Sequence, residues 1–234
     1  MIDSVTYNGT TSDIEYDKLA PGIFVYRNAI PKEWNAVERI EDALAIPGTR
    51  FSWKTAKTGY DVIEEDHRKC KDWKVDQNIL GPRDEYSSDM LDLHNDILES
   101  LKRCIEHYKR LNYLAEISYF ECVNIVRYGK GEYFKVHTDD GDPYRCTLSA
   151  VGYPNDNYEG GELWFPEFDV KHKPRAGDFV LSPSAYVYAH SSEPVLDDGL
   201  KYSFVIMTDR NNLAHRKDSP VYYSVEERSE LGLS

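Results

Sequence analysis

The sequence predicts an α+β protein in which helices come first and a β-sandwich or barrel follows. Three observations carry this expectation. Apolar residues recur at three- and four-residue steps in two stretches before residue 112, the period changes to two near residue 120, and short apolar runs then continue to residue 208, parted by Gly, Pro, Asn and Asp. A chain of 234 residues is long enough for one sizeable core.

Residues 1–20 are polar and read as an N-terminal arm, and 22–26 as a short β-like run. A helix is expected after Pro31, with its body at 33–44, because Trp34, Val37, Ile40 and Leu44 fall on one helical face; Pro47-Gly48 ends it. Residues 50–83 show no clear period and are expected to form loops with short strands, suited to a lid over a site. A long helix is expected over 87–111 from the spacing of Met90, Leu91, Ile97, Leu98, Leu101, Ile105 and Tyr108, and it should brace a sheet. Phe120, Cys122, Asn124, Val126 and Tyr128 then share one strand face, with Glu121 and Arg127 on the other. Further strands are expected at 148–151, 162–165, 179–181 and 202–207.

Composition narrows the function classes. Hydrophobic residues make up 41% of the chain and no apolar run approaches the roughly 18–20 residues of a membrane span, so a soluble, cytoplasmic protein is expected. Cys70, Cys104, Cys122 and Cys146 are widely spaced, without a C-x-x-C pair, and read as free core thiols. A formal net charge of −13 disfavours nucleic acid as a partner, although Lys171, Lys173 and Arg175 form a small basic patch.

His137-Thr138-Asp139 is the candidate metal pair, because residues two apart in extended chain project to the same side; His190 is the candidate third ligand. Two histidines and a carboxylate suit Fe(II), leaving adjacent coordination positions open. The triplet alone is weak, and His94-Asn95-Asp96 has the same spacing. That second pair lies in the expected helix, where residues two apart diverge, and is rejected. His67, His107, His172 and His215 have no such partners and are left structural.

The surroundings of His137 carry more weight. Tyr128-Gly129-Lys130-Gly131 precedes it, Glu159-Gly160-Gly161-Glu162-Leu163 and Lys173-Pro174-Arg175-Ala176-Gly177-Asp178 follow, and His190-Ser191-Ser192-Glu193-Pro194-Val195 is joined to Gly199-Leu200-Lys201-Tyr202. In this order the segments resemble the prolyl 4-hydroxylase-like branch of the 2-oxoglutarate/Fe(II)-dependent oxygenase superfamily. The resemblance implies a double-stranded β-helix, or jelly roll, at about 117–208, braced by helices from the N-terminal half. It implies a single oxygenase domain at 21–210, with 211–234 as a tail. One departure is plain: Phe134 stands where the family often has tyrosine, with Tyr133 beside it.

The resemblance makes His137, Asp139 and His190 the iron ligands and Lys201 the partner of the distal carboxylate of 2-oxoglutarate. A lysine on an inward strand face is costly unless an anion neutralises it; the alternative is that Lys201 snorkels to solvent. Ser203 shares its face and is a candidate second donor, and Tyr128 is either a cosubstrate contact or plain core packing. The glycines at 160, 161 and 177 read as turn residues with positive φ. The expected reaction is hydroxylation of an aliphatic C–H bond with release of succinate and CO2, using Fe(II), 2-oxoglutarate and O2, with ascorbate as a candidate reductant. The expected substrate is a prolyl residue in a peptide or protein, with Trp53, Tyr60, Tyr153 and Tyr158 as candidate groove aromatics. The alternatives are a nucleobase, free amino acid or other small metabolite, or a jelly-roll binding module without catalysis.

Overall fold

A computed structural model describes residues 1–46, 51–58, 62–75, 85–114, 116–141 and 145–215. Two antiparallel sheets face each other. The larger contains, in spatial order, β1 (Ile2–Tyr7), β2 (Thr10–Ala20), β3 (Ile23–Tyr26), β13 (Asp178–Pro183), β10 (Leu148–Tyr153), β15 (Lys201–Asp209), β8 (Asn124–Tyr128), β6 (Lys71–Lys74) and β4 (Lys54–Thr55), with β7 (Tyr119–Phe120) beside the far end of β15. The smaller runs β12 (Val170–His172), β11 (Leu163–Phe165), β14 (His190–Ser192), β9 (Tyr133–His137) and β5 (Arg68–Lys69). With helices α1 (Ala36–Ala45) and α2 (Glu85–Asn112), this is the α+β jelly-roll architecture. No helix among the described residues is long and apolar enough to cross a membrane.

The N-terminal residues depart from the expected polar arm. They form the β1–β2 hairpin, which joins the larger sheet through β3. The turn is Asn8-Gly9, both at positive φ (48° and 76°), a pair that closes two-residue hairpins because it matches the strand twist. Only Val5 and Ile14 of the hairpin are buried in the core, so its apolar content is too low to announce a strand by alternation.

The first helix begins later than its periodicity suggests. Pro31 leads into a single 3-10 turn at Lys32–Trp34, and Asn35, at φ 47°, breaks the backbone before Ala36 starts α1. The short strands expected among the loops of 50–83 are β4 and β6, which belong to the larger sheet, and β5, which belongs to the smaller. The rest of that expected lid, at 50, 59–61 and 76–83, lies outside the described residues, as do 216–234 of the expected tail.

Strand register divides the larger sheet into two unlike faces. Ile125, Leu148, Ala150, Phe179, Leu181, Phe204 and Ile206 turn to one side, where they form a single core with Met90, Leu93, Ile97, Leu101, Ile105 and Tyr108 of α2. Asn124, Val126, Tyr128, Lys201, Ser203, Ser149 and Tyr153 alternate with them and face the smaller sheet. One side is therefore apolar packing and the other is a partly polar interior.

Leu101 has no exposed surface. Leu101→Ala is expected to cost about 2–5 kcal/mol in urea unfolding through the cavity it leaves. Ile2→Ala, at a side chain 75% exposed, should stay within about 0.5 kcal/mol.

Candidate metal centre and cosubstrate pocket

Strands β9 and β14 are neighbours in the smaller sheet, and His137 and His190 are Cα partners across them. Asp139 follows two residues after the end of β9. The ligand atoms of His137, Asp139 and His190 lie within 4.8 Å of one another, a spacing able to hold a metal ion. The Nε2 atom of His137 is 3.5 Å from Asp139 Oδ1, and that of His190 is 3.6 Å from Asp139 Oδ2.

The other ring nitrogens are committed. Nδ1 of His137 donates to the carbonyl of Lys135 at 2.8 Å, and Nδ1 of His190 to that of Tyr188 at 3.1 Å. Such bonds fix each ring and its tautomer, leaving both Nε2 lone pairs turned toward the carboxylate. Phe134 stacks on the His137 ring with centroids 3.6 Å apart, and Phe165 lies 5.4 Å from the His190 ring.

Burial lowers the basicity of His190, in the direction of the neutral imidazole that metal ligation requires. Burial alone would raise the carboxyl of Asp139, yet His190 and then His137 outweigh it and hold the group well below the usual carboxylate range. Asp139 Oδ2 is buried and accepts no hydrogen bond among the described residues. A desolvated carboxylate oxygen facing two imidazole lone pairs is stabilised by a divalent cation, and two nitrogens with one oxygen fit Fe(II).

Beyond the triad lies Lys201, 1% exposed. Its Nζ donates to the carbonyl of Gly161 at 2.8 Å and to Ser192 Oγ at 2.7 Å, both uncharged oxygens. Burial pushes the ammonium down to about 7. Tyr128 is its Cα partner on β8, and its ring centre is 4.9 Å from Nζ. Ser203 is fully enclosed, and its hydroxyl has no partner among the described residues. Gly161, at φ 65°, must be glycine: an added Cβ would sit 2.9 Å from the Tyr158 ring and 3.0 Å from Lys201 Cδ. Gly160 and Gly177 also take positive φ, as expected of turn residues.

Ser192 was missed in the sequence, although it stands two residues from His190 and so shares its strand face. Arg68, stacked over Phe134 with its guanidinium carbon 4.7 Å from the ring centre, had no local signal at all. The described members of the expected aromatic groove do not share one surface. Trp53 packs on the helix side beside Arg127, Tyr202 and the α2 core; Tyr153 and Tyr158 are buried near Lys201 and Lys173, and Tyr60 is outside the described residues. Their aromatic character reflects packing.

The remaining histidines have other surroundings. His94 is buried within α2, and His107 meets Asp3 and the Tyr26 hydroxyl there. His172 faces Asp178, His215 stacks on Tyr119, and His67 touches the edge of Phe134. Cys70, Cys104 and Cys146 are buried thiols outside any disulfide. Two of the three basic-patch residues are engaged, Lys171 with Glu193 and Lys173 with the carbonyls of Tyr158 and Gly160.

Residues 123–208 match the family model of the 2OG-Fe(II) oxygenase superfamily. Among solved structures, a Trichoplax adhaerens prolyl hydroxylase in complex with a peptide fragment of the hypoxia inducible factor oxygen degradation domain is similar at TM-score 0.63 and 17% identity, covering 82% of this chain and 84% of that one. A Pseudomonas putida prolyl-4-hydroxylase gives 0.56 and 19%, over 82% and 94%. The viral collagen prolyl hydroxylase of Paramecium Bursaria Chlorella virus-1, in its 2OG complex, gives 0.54 and 17%, over 80% and 94%. No curated protein matches the sequence significantly. At these identities the structural likeness shows a shared fold, while the family model speaks to the class. Residues 123–208 thus carry the sequence pattern of the 2OG-Fe(II) oxygenases, a class of 2-oxoglutarate-dependent dioxygenases, and the fold is prolyl hydroxylase-like. The cofactors of that class are Fe(II), 2-oxoglutarate and O2.

Asp139→Ala is expected to abolish Mn(II) or Fe(II) binding in calorimetric titration. It should leave the melting temperature of the metal-free protein unchanged or higher, since it removes a buried carboxylate with an unbonded oxygen.

Proposed function

We propose that this chain hydroxylates an aliphatic C–H bond of a prolyl residue in a peptide or protein, releasing succinate and CO2. In this reading His137, Asp139 and His190 hold the iron, and Lys201, Tyr128 and Ser203 receive the 2-oxoglutarate. The observation that carries it is an enclosed ammonium group, bonded only to uncharged oxygens, facing the same interior as a three-ligand cluster. Ser192 links the two, because its hydroxyl accepts from Lys201 and its strand carries His190. The long helix α2 serves as brace, its core fixing the sheet from which Lys201 projects.

Bound Fe(II), with O2, supplies the oxidative decarboxylation of 2-oxoglutarate and the oxidising power for the C–H bond. The protein's own part is positional. Lys201 binds the distal carboxylate, with Ser203 and Tyr128 as further donors, and this fixes the 2-oxo end of the cosubstrate toward the triad. The hydrogen bonds on Nδ1 of His137 and His190 keep both ligands in one tautomer. The aromatic and aliphatic wall of Tyr128, Tyr158, Val195 and Phe134 excludes water. A peptidyl substrate is supported by the fold shared with prolyl hydroxylases, one of them bound to a peptide.

Two experiments test this reading. Succinate release should rise above the peptide-free background with proline-containing peptides; a flat response across a broad panel rejects the prolyl substrate, and turnover with a free amino acid or nucleobase would redirect it. The second uses pH. Lys201 has a free-state pKa pushed down to about 7, so below that pH it already carries its proton and meets the anion charged. Above pH 7 binding must draw a proton in, and apparent affinity for 2-oxoglutarate should fall by up to about tenfold per pH unit. Calorimetry at pH 8 in buffers of different ionisation enthalpy should register that proton uptake, and Lys201→Arg should remove it.

A further inference from the structure

We infer that Arg68 is a second cationic anchor of this pocket, donating its Nε–H to the distal carboxylate of 2-oxoglutarate. The inference rests on the reading that the pocket takes 2-oxoglutarate, and adds to it a residue from a different strand. Arg68 on β5 is the Cα partner of Phe134, and Phe134 is the partner of Ser192, whose hydroxyl accepts from Lys201. Residues directly opposite on neighbouring strands share a face, so Arg68 projects with them into the space between the sheets. Its guanidinium stacks on the same Phe134 ring that stacks on His137.

The side chain is 13% exposed. Nη1 donates to the Lys57 carbonyl at 2.6 Å, and Nη2 lies 3.5 Å from Asp72 Oδ2. Nε is buried and has no hydrogen-bond partner among the described residues. The guanidinium's neighbours include the Cys70 thiol, a weak acceptor within hydrogen-bonding reach, and Tyr128, the same ring that flanks Lys201. An enclosed N–H of a charged group met by no better acceptor than a thiol is costly, and an arriving carboxylate oxygen relieves that cost.

The count of donors points the same way. Lys201 has three N–H groups and spends two on Gly161 and Ser192, which leaves one for a carboxylate that can accept about four hydrogen bonds. Strand β9 adds no hydroxyl to that wall. Phe134 has none, and the hydroxyl of Tyr133 points to the carbonyls of Glu65 and Asp66, 3.4 Å from each.

The test is anaerobic titration of the full-length Fe(II)-loaded protein with 2-oxoglutarate and, separately, with 2-oxobutyrate, which lacks the distal carboxylate. Binding is read by calorimetry and by the visible charge-transfer band. Arg68→Met keeps bulk over Phe134 and removes the donors; it should raise the Kd for 2-oxoglutarate about tenfold while leaving those for 2-oxobutyrate and metal unchanged. Arg68→Lys, which keeps the charge without the Nε–H, should show a smaller loss and serves if the methionine variant does not fold. Unchanged 2-oxoglutarate binding in both variants overturns the inference. So does an equal weakening of both 2-oxo acids and metal, which would assign Arg68 to support of the Phe134–His137 stack. Wild-type protein that binds metal but no 2-oxoglutarate would instead sink the cosubstrate reading on which the inference stands.

Discussion

Enclosing a lysine ammonium and an aspartate carboxylate between two sheets is the constraint from which the rest of this structure follows. Each group on its own is expensive to remove from water, and the two are not paired with each other. The protein meets the cost piecemeal. A carbonyl and a serine hydroxyl hold the ammonium, and two imidazoles, themselves anchored by backbone carbonyls, face the carboxylate. Among the described residues, what is left over includes a carboxylate oxygen, a serine hydroxyl and an arginine N–H without a hydrogen-bond partner. In the proposed reading, a cation beside Asp139 and a dicarboxylate beside Lys201 would complete the same set of bonds.

Such an interior needs a rigid support, and the larger sheet supplies it through its opposite face. Phe204, Ile206, Leu148 and Ala150 pack against α2, so the strands that carry Lys201 and Ser203 are fixed by side chains alternating with them. The polar side of the sheet can then carry unsatisfied groups because the apolar side secures the strands. Arg127, Tyr202 and Glu41 extend that support: the Tyr202 hydroxyl donates to Glu41 at 2.5 Å, tying α1 to the strand position next to Lys201.

Much of this was legible in the sequence because it depends on short periods. The α2 face and the inward set Asn124, Val126 and Tyr128 follow directly from spacings of three to four and of two. The same reasoning separates His137-Thr138-Asp139 from His94-Asn95-Asp96, identical in spacing but differing in the backbone that carries them. What stayed hidden depends on pairing between distant segments. No local pattern says that Arg68 lies opposite Phe134, or that Trp53 rests on Arg127, on the helix side of the larger sheet. The β1–β2 hairpin did leave a signal in Asn8-Gly9, but its polar strands, with only Val5 and Ile14 in the core, masked it.

Residues 68–74 enter the smaller sheet as β5 and leave in the larger one as β6, turning between them at Cys70. The Ala56 amide bonds to the Cys70 carbonyl and Arg68 to Lys57, so the segment before the crossing is sewn to the same corner. One stretch of chain thus acts as a seam between both walls. The Asn8-Gly9 turn lies at the far edge of the larger sheet, whereas this corner adjoins Phe134 and, through it, the His137 ring. Loop grafting or circular permutation should therefore spare the seam and begin at the hairpin.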